Sequence, residues 1–332
     1  VGCCAPRDAI GRHANGKREC SSDGSTRLLS EMTTAAALPI LDANRLRGIA
    51  LVLVTVAIFS CLDTMSKYLS QIYPVPGLVW FRYLVHLLLM LAILGPRLRW
   101  RLIRSAHPVL QIGRSLLLLL ATYLFFSALR VMPLAEAAAI SFISPLLVTV
   151  LSVPLLGETI GPRRFAAVGV GFLGVLIILR PGGHLLSPAA LLPLGNAFAY
   201  SLYQIITRKL SATEDPYATL FYTAIVGTVG TTLALPLGFA MPHGLHILML
   251  LAMGSFGGFG HFLLIKAFRD APASLLAPFS YSQLIYSTCL GYLVFGDFPD
   301  TWTLVGMAVI VGSGIYVGYR ESLLARRKAD AD

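Results

Sequence analysis

From residue 48 onward the chain alternates between long apolar runs and short polar breaks. Ten runs stand out, near 48–70, 77–95, 109–129, 134–156, 163–180, 188–207, 216–236, 245–268, 273–295 and 302–320. Turn residues or charge punctuate them, among them Pro74 and Pro76, Pro133, Gly157, Pro216, Pro242, Pro272 and Pro299. A helix needs about 20 apolar residues to cross the hydrocarbon core. The pattern therefore predicts an all-α polytopic membrane protein of ten transmembrane helices. Several connections are short enough to force neighbouring helices antiparallel.

Composition agrees with the pattern. Of 332 residues, 56% are hydrophobic and 13% charged, against about 25% charge in a soluble domain. Surface grows too fast with volume for a soluble core to absorb so much apolar sequence. The net charge of +10 could suggest nucleic acid, but its placement says otherwise. Sorted along the ten runs, sixteen basic residues fall on one side, including Arg97, Arg99, Arg101 and Arg104. Only Arg130 and Arg180 fall on the other, with Lys67 a third if it reaches outward. That is the positive-inside asymmetry. It predicts both termini in the cytoplasm and leaves no need for nucleic acid.

Residues 1–47 hold 12 of the 42 charged side chains and no apolar run. They read as a disordered polar cytoplasmic tail, and residues 321–332 as a second, shorter one. Met32 opens a more ordinary start than Val1, so the native protein is expected to begin there. The five cysteines match no zinc spacing, so no metal site, disulfide or cofactor is expected.

Residues 128–158 and 267–297 align at an offset of 139. Ala128, Arg130, Pro133, Gly157 and Glu158 meet Ala267, Arg269, Pro272, Gly296 and Asp297. Earlier in each copy, Ser60, Asp63 and Lys67 meet Ser201, Gln204 and Arg208. Each copy holds five runs. Five is odd, so the second copy enters the membrane the other way up, as in many secondary transporters.

The segment ALRVMPLAEAAAISFISPLLVTVLSVPLLGE, followed by RRFAAVGVGFLGVLIILRPG, resembles the first EamA-type repeat of the drug/metabolite transporter superfamily. AFRDAPASLLAPFSYSQLIYSTCLGYLVFGDFPDTWTLVGMAVIVGSGIYV resembles its partner. The resemblance implies two five-helix repeats, 48–180 and 188–320, in a bacterial inner membrane. It implies a carrier that moves a small metabolite or drug-like compound by alternating access, and it names no substrate. The expected partners are a small-molecule substrate, the lipid bilayer and protons for coupling. Oligomeric state is not legible.

Polar side chains inside the apolar runs are the candidate site. A charge at a helix centre costs roughly 2.5–3.5 kcal/mol on the insertion scale, so it needs a partner or a purpose. Ser60, Asp63, Thr64 and Lys67 form one helical stripe. Asp63 can pair with Lys67 at i,i+4, or with Arg82 at similar depth in the next run. Such a group serves as a gated charge pair, a proton or substrate-charge site, or a static brace. Asn196, Tyr200, Tyr203, Gln204 and Thr207 make a second stripe, and Ser280, Tyr281, Gln283 and Tyr286 a third. The substrate or proton candidates are thus Asp63, Lys67, Arg82, Tyr203, Gln204, Tyr281, Gln283 and Tyr286. Weaker ones are Ser60, Glu136, Ser141, Ser144, Asn196, Tyr200 and His261. Glu136 also reads as a helix-start charge, and His261 as a packing residue.

Pro145 and Pro278 break helices in mid-membrane, and Gly257 and Gly258 offer either a gating bend or a packing face. Arg114 is expected to snorkel, Glu158 and Asp297 to mark boundaries. No nucleotide-binding, zinc-protease or GxSxG motif appears, which argues against ATP drive and against an enzyme. A membrane-embedded enzyme and a non-transporting receptor or assembly protein are the alternatives.

Overall fold

The computed structural model describes residues 43–157, 161–180, 188–210, 213–271, 276 and 279–329. The expectations for residues 1–42, Glu158 and Pro278 lie outside these. The described residues contain helices and no strands. In chain order the helices are α1 (Ala43–Ser70), α2 (Val75–Ile93), α3 (Pro108–Val131), α4 (Leu134–Ser141), α5 (Ser144–Leu156), α6 (Pro162–Leu179), α7 (Leu191–Leu210), α8 (Pro216–Ala234), α9 (Leu245–Asp270), α10 (Ser282–Phe295) and α11 (Thr301–Ala329). Short turns at Gly95–Leu98 and Arg99–Leu102 link α2 to α3.

Among the described residues, eight helical stretches are long and apolar enough to cross a membrane, with α4 and α5 together counting as one. The expected spans 163–180 and 273–295 are not among these eight, the second with residues 273–275 and 277–278 outside the described ones. The apolar part of α6 is limited to Phe165–Leu179, because Arg163 and Arg164 occupy its first turn. The described residues of the second, 276 and 279–295, include the 14-residue α10.

Local chemistry explains the boundaries. Proline, which has no N–H to lose, stands in the first turn of α2, α3, α6 and α8. The Asp215 carboxylate caps α8 by accepting from Tyr217 N–H. Gly157 and Gly296 close α5 and α10 at φ 69° and 73°, the left-handed conformation that favours glycine at a helix C-terminus. Pro145 has no N–H for the Ser141 carbonyl, and the helix parts at Phe142 and Ile143 into α4 and α5.

The helix pairings fall into matched sets. α1 packs on α9 as α7 packs on α3, α2 on α9 as α8 on α3, and α1 on α10 as α7 on α5. α2 with α8 and α6 with α11 complete the frame. Small residues allow the last close approach: a Cβ on Gly174 would come 2.9 Å from the Gly306 carbonyl.

The helix ends gather into two groups. Contacts from Lys67 to Asp297, Tyr73 to His246 and Trp80 to Thr232 mark an upper end. Contacts from Arg47 to Asp270, Gln111 to Thr219 and Ser105 to Glu214 mark a lower end.

Candidate functional site

Between these ends lies a cavity of about 380 Å³, inside the range of about 300–1,000 Å³ usual for small-molecule sites. One face of α1 lines it from Val52 through Phe59 to Asp63. Arg82 of α2, Thr122 of α3, Ser141 and Ser144 beside the α4–α5 break, Asn196, Tyr200 and Gln204 of α7, His261 of α9, and Ser280 and Gln283 complete the polar part of the wall. Pro145 lines it as well, so the break it causes opens directly onto the cavity.

Positions that align in the two sequence copies meet here. Asp63 and Gln204, Thr122 and His261, Ser141 and Ser280, and Ser144 and Gln283 are all in the wall.

Asp63 is 7% exposed, and its Oδ2 accepts from Gln283 Nε2 at 3.1 Å. Ser60 Oγ donates to the Gln283 carbonyl at 3.5 Å, so α1 and α10 hold each other at this level. Arg82 Nη1 donates to Thr122 Oγ1 at 2.8 Å, and the Tyr83 hydroxyl shares that oxygen at 3.0 Å. The guanidinium also lies 5.6 Å from the Phe126 ring centre, a cation–π contact. Asn196 Nδ2 donates to Ser141 Oγ at 2.8 Å, and His261 lies against Phe59 with ring centres 5.2 Å apart.

Several expectations need correction. Neither Lys67 nor Arg82 forms an ion pair with Asp63, since Lys67 turns one helical step away from the cavity to meet Asp297 at 3.0 Å and the Met132 carbonyl at 3.0 Å. Lys67 is buried, its ammonium turned to Asp297 rather than to solvent. Asp297 is therefore an ion-pair partner, not merely a boundary residue. Arg82 is held on the α3 side by Thr122, and Asp63 on the α10 side by Gln283. Arg114 does not snorkel: it is 1% exposed and donates to Thr207, the Thr219 carbonyl and Thr223.

Tyr203, Tyr281 and Tyr286 are not in the cavity wall. Tyr203 stands behind Tyr200, stacked at 5.4 Å, and beneath Arg114. Tyr281 is buried beside Phe142, its hydroxyl without a hydrogen-bond partner among the described residues. Tyr286 packs on the cluster containing Val52 and Leu276. At about 100° per residue, Tyr203 is turned about 60° from Tyr200 and about 100° from Gln204, and that offset puts it at the edge of their face and outside the wall.

Gly257 and Gly258 do not break α9, which runs unbroken from Leu245 to Asp270. They form a packing face: a Cβ on Gly258 would come 2.8 Å from the His86 ring. Glu136 lies in the first turn of α4, and its Oε2 is buried without a hydrogen-bond partner.

Thr122, Phe59 and Asp297 were not among the candidates. Thr122 had a faint signal as the single threonine in the run LLLLLATYLFF, next to Tyr123. Phe59 had none, because an aromatic in a membrane helix looks the same whether it faces lipid, core or cavity.

A cavity with charged, amide and aromatic walls inside an apolar multi-helix bundle defines a membrane protein that can hold a small polar molecule within the bilayer. The chain belongs to the EamA-like transporter family, whose model matches residues 46–180 and again 187–319. It is 29% identical to the S-adenosylmethionine uptake transporter of Rickettsia felis, over 86% of this chain and 97% of that one. It is 28% identical to the riboflavin transporter of Rhizobium johnstonii, over 82% and 90%. A solved crystal structure matches with a TM-score of 0.60 at 22% identity, covering 84% of this chain and 98% of its own, which shows a shared fold. The protein is a multi-pass membrane transporter of small molecules, and its family and relatives are transporters by name, not enzymes.

Proposed function

We propose that this transporter is a secondary carrier of a small organic metabolite, built as two inverted five-helix repeats, 48–180 and 188–320. In this reading ten spans cross a bacterial inner membrane with both termini in the cytoplasm, and the cavity opens alternately to either face. The double match of the family model, the matched helix pairings and the aligned residues in the cavity wall all support it.

One observation carries the assignment of the site. Asp63 and Arg82 line the same cavity, and each has only neutral hydrogen-bond partners among the described residues. A buried charge without a counter-charge is costly, and a charged or zwitterionic ligand with an aromatic body fits such a wall beside Phe59 and Tyr200. Asp63 serves as the substrate-charge or proton-coupling group, with Gln204, Gln283, Asn196 and the serines as hydrogen-bonding surface.

The test is flux in proteoliposomes with labelled S-adenosylmethionine and riboflavin, the substrates named for the two relatives, with and without a pH gradient. We expect flux of at least one and a loss of about tenfold in Asp63→Asn, as when one charge-assisted contact is removed. Unchanged flux between pH 5 and 8 in a well-expressed Asp63→Asn protein would reject the role given to Asp63.

A further inference from the structure

The cavity does not run evenly between the two ends. Along α1 its wall begins at Val52 and stops at Asp63. Toward the lower end, Leu264 and Leu276 continue it. Toward the upper end, the next turn of α1 carries Lys67, which is outside the wall. Lys67 Nζ is bound at 3.0 Å to Asp297 Oδ2, at 3.0 Å to the Met132 carbonyl, and lies 5.0 Å from the Phe295 ring centre. One ammonium thereby ties together α1, the α3–α4 turn and the segment after α10. That segment is held twice, because Arg180 at the end of α6 pairs with Asp300. Both bridges join the N-terminal set of helices to the C-terminal set, and both lie at the upper end.

We propose that the Lys67–Asp297 ion pair is a clasp that closes the upper end of the cavity, and that it must part for the cavity to open there. The inference rests on the cavity being the transport path. Asp297 is suited to release: its side chain is 38% exposed, whereas that of Lys67 is 9% exposed, so the carboxylate can pass to solvent while the lysine stays in place. The α10–α11 segment that carries it, Gly296–Asp300, lies outside the helices; the Gly296 and Asp297 backbone N–H groups stay bound to the Tyr292 and Gly291 carbonyls at 2.9 and 3.2 Å, so release needs only the Asp297 side chain to turn.

The experiment reads accessibility and needs no known substrate. All native cysteines are replaced by serine and Phe142, in the cavity wall, by cysteine. A membrane-impermeant maleimide is applied to right-side-out and to inverted vesicles. The expected parent reacts faster from one face. Asp297→Asn, which keeps the shape of the side chain, is expected to shift the ratio of the two rates by about tenfold toward the other face, as for a two-state equilibrium that loses one charge contact. Lys67→Met is the second variant and should shift it in the same direction. Asp270→Asn, which removes the lower-end pair of half-buried Asp270 with exposed Arg47, should leave the ratio unchanged. An unchanged ratio in Asp297→Asn, with or without a fall in thermal stability, overturns the clasp and makes the pair a static brace. Carrier function is judged separately: flux by the parent alongside an unchanged ratio rejects only the clasp, while a cysteine that reacts from neither face removes the cavity as a path.

Discussion

Lys67 and Asp63 stand one helical turn apart on α1, and their surroundings are opposite. At the upper end, Lys67 has a carboxylate and a carbonyl. At the lower end, Glu214 accepts from Ser105 Oγ and from the His107 backbone N–H, each at 2.9 Å. In the cavity between them, Asp63 and Arg82 line the same wall without forming an ion pair, held by an amide and a hydroxyl. A charge costs most at the bilayer centre and less toward the interfaces. At the ends that cost is offset by opposite charge or converging donors inside the protein. In the middle it is only partly offset, and that remainder is the ground on which the cavity is proposed to take a charged ligand.

The contrast can be broken at its strongest point first. Lys67→Met leaves the Asp297 carboxylate and the Met132 carbonyl without their donor. We expect a loss of about 2 kcal/mol, less than for a fully buried pair because Asp297 is partly exposed. Denaturant or thermal unfolding in detergent measures it, and a stability equal to the parent's would show that the bridge contributes nothing. Asp63→Asn tests the other side. It removes a charge yet keeps an acceptor for Gln283, so stability should change by under about 1 kcal/mol while flux falls about tenfold. A large stability loss with flux retained would invert the comparison.

The smallest effect concerns Glu214, at the lower end outside the spans. Burial by itself would raise its carboxyl, but the bonds from Ser105 and His107, with Gln111 and Ala106 adding, hold it below the ordinary value of 4.5. A depressed carboxyl contributes stability above its unfolded-state value and loses it as pH falls through the lower folded-state value. Glu214→Gln should therefore cost at most about 1 kcal/mol near neutrality and flatten the acid side of the stability curve. Parallel curves for parent and variant between pH 6 and 3 would exclude this contribution.

Much of the helical framework was legible along the chain, since a membrane-crossing helix announces itself by length and apolarity alone. The run containing Ser141–Pro145 was readable as a broken helix, because proline lacks the N–H whatever its surroundings. Residues on one face of a helix were also readable, and the Asn196–Tyr200–Gln204 and Ser60–Asp63 stripes do face the cavity or its supports. Partners across helices were not. Asp63 had two plausible cations within reach by spacing, Lys67 and Arg82, and pairs with neither. Arg114 looked close enough to an end to snorkel, yet three threonines from two other helices hold it inside.

What the sequence determined by itself were properties that are local and additive: apolar length, helix ends and the likeness between the two copies, each of which the family model matches. Tertiary structure alone decided which charge is satisfied and which is left open. That depends on the rotation and depth of each helix against its neighbours, where a shift of one residue turns a side chain through about 100°. Gln283 meeting Asp63 and Asp297 meeting Lys67, more than two hundred residues apart in the chain, are outcomes of that packing.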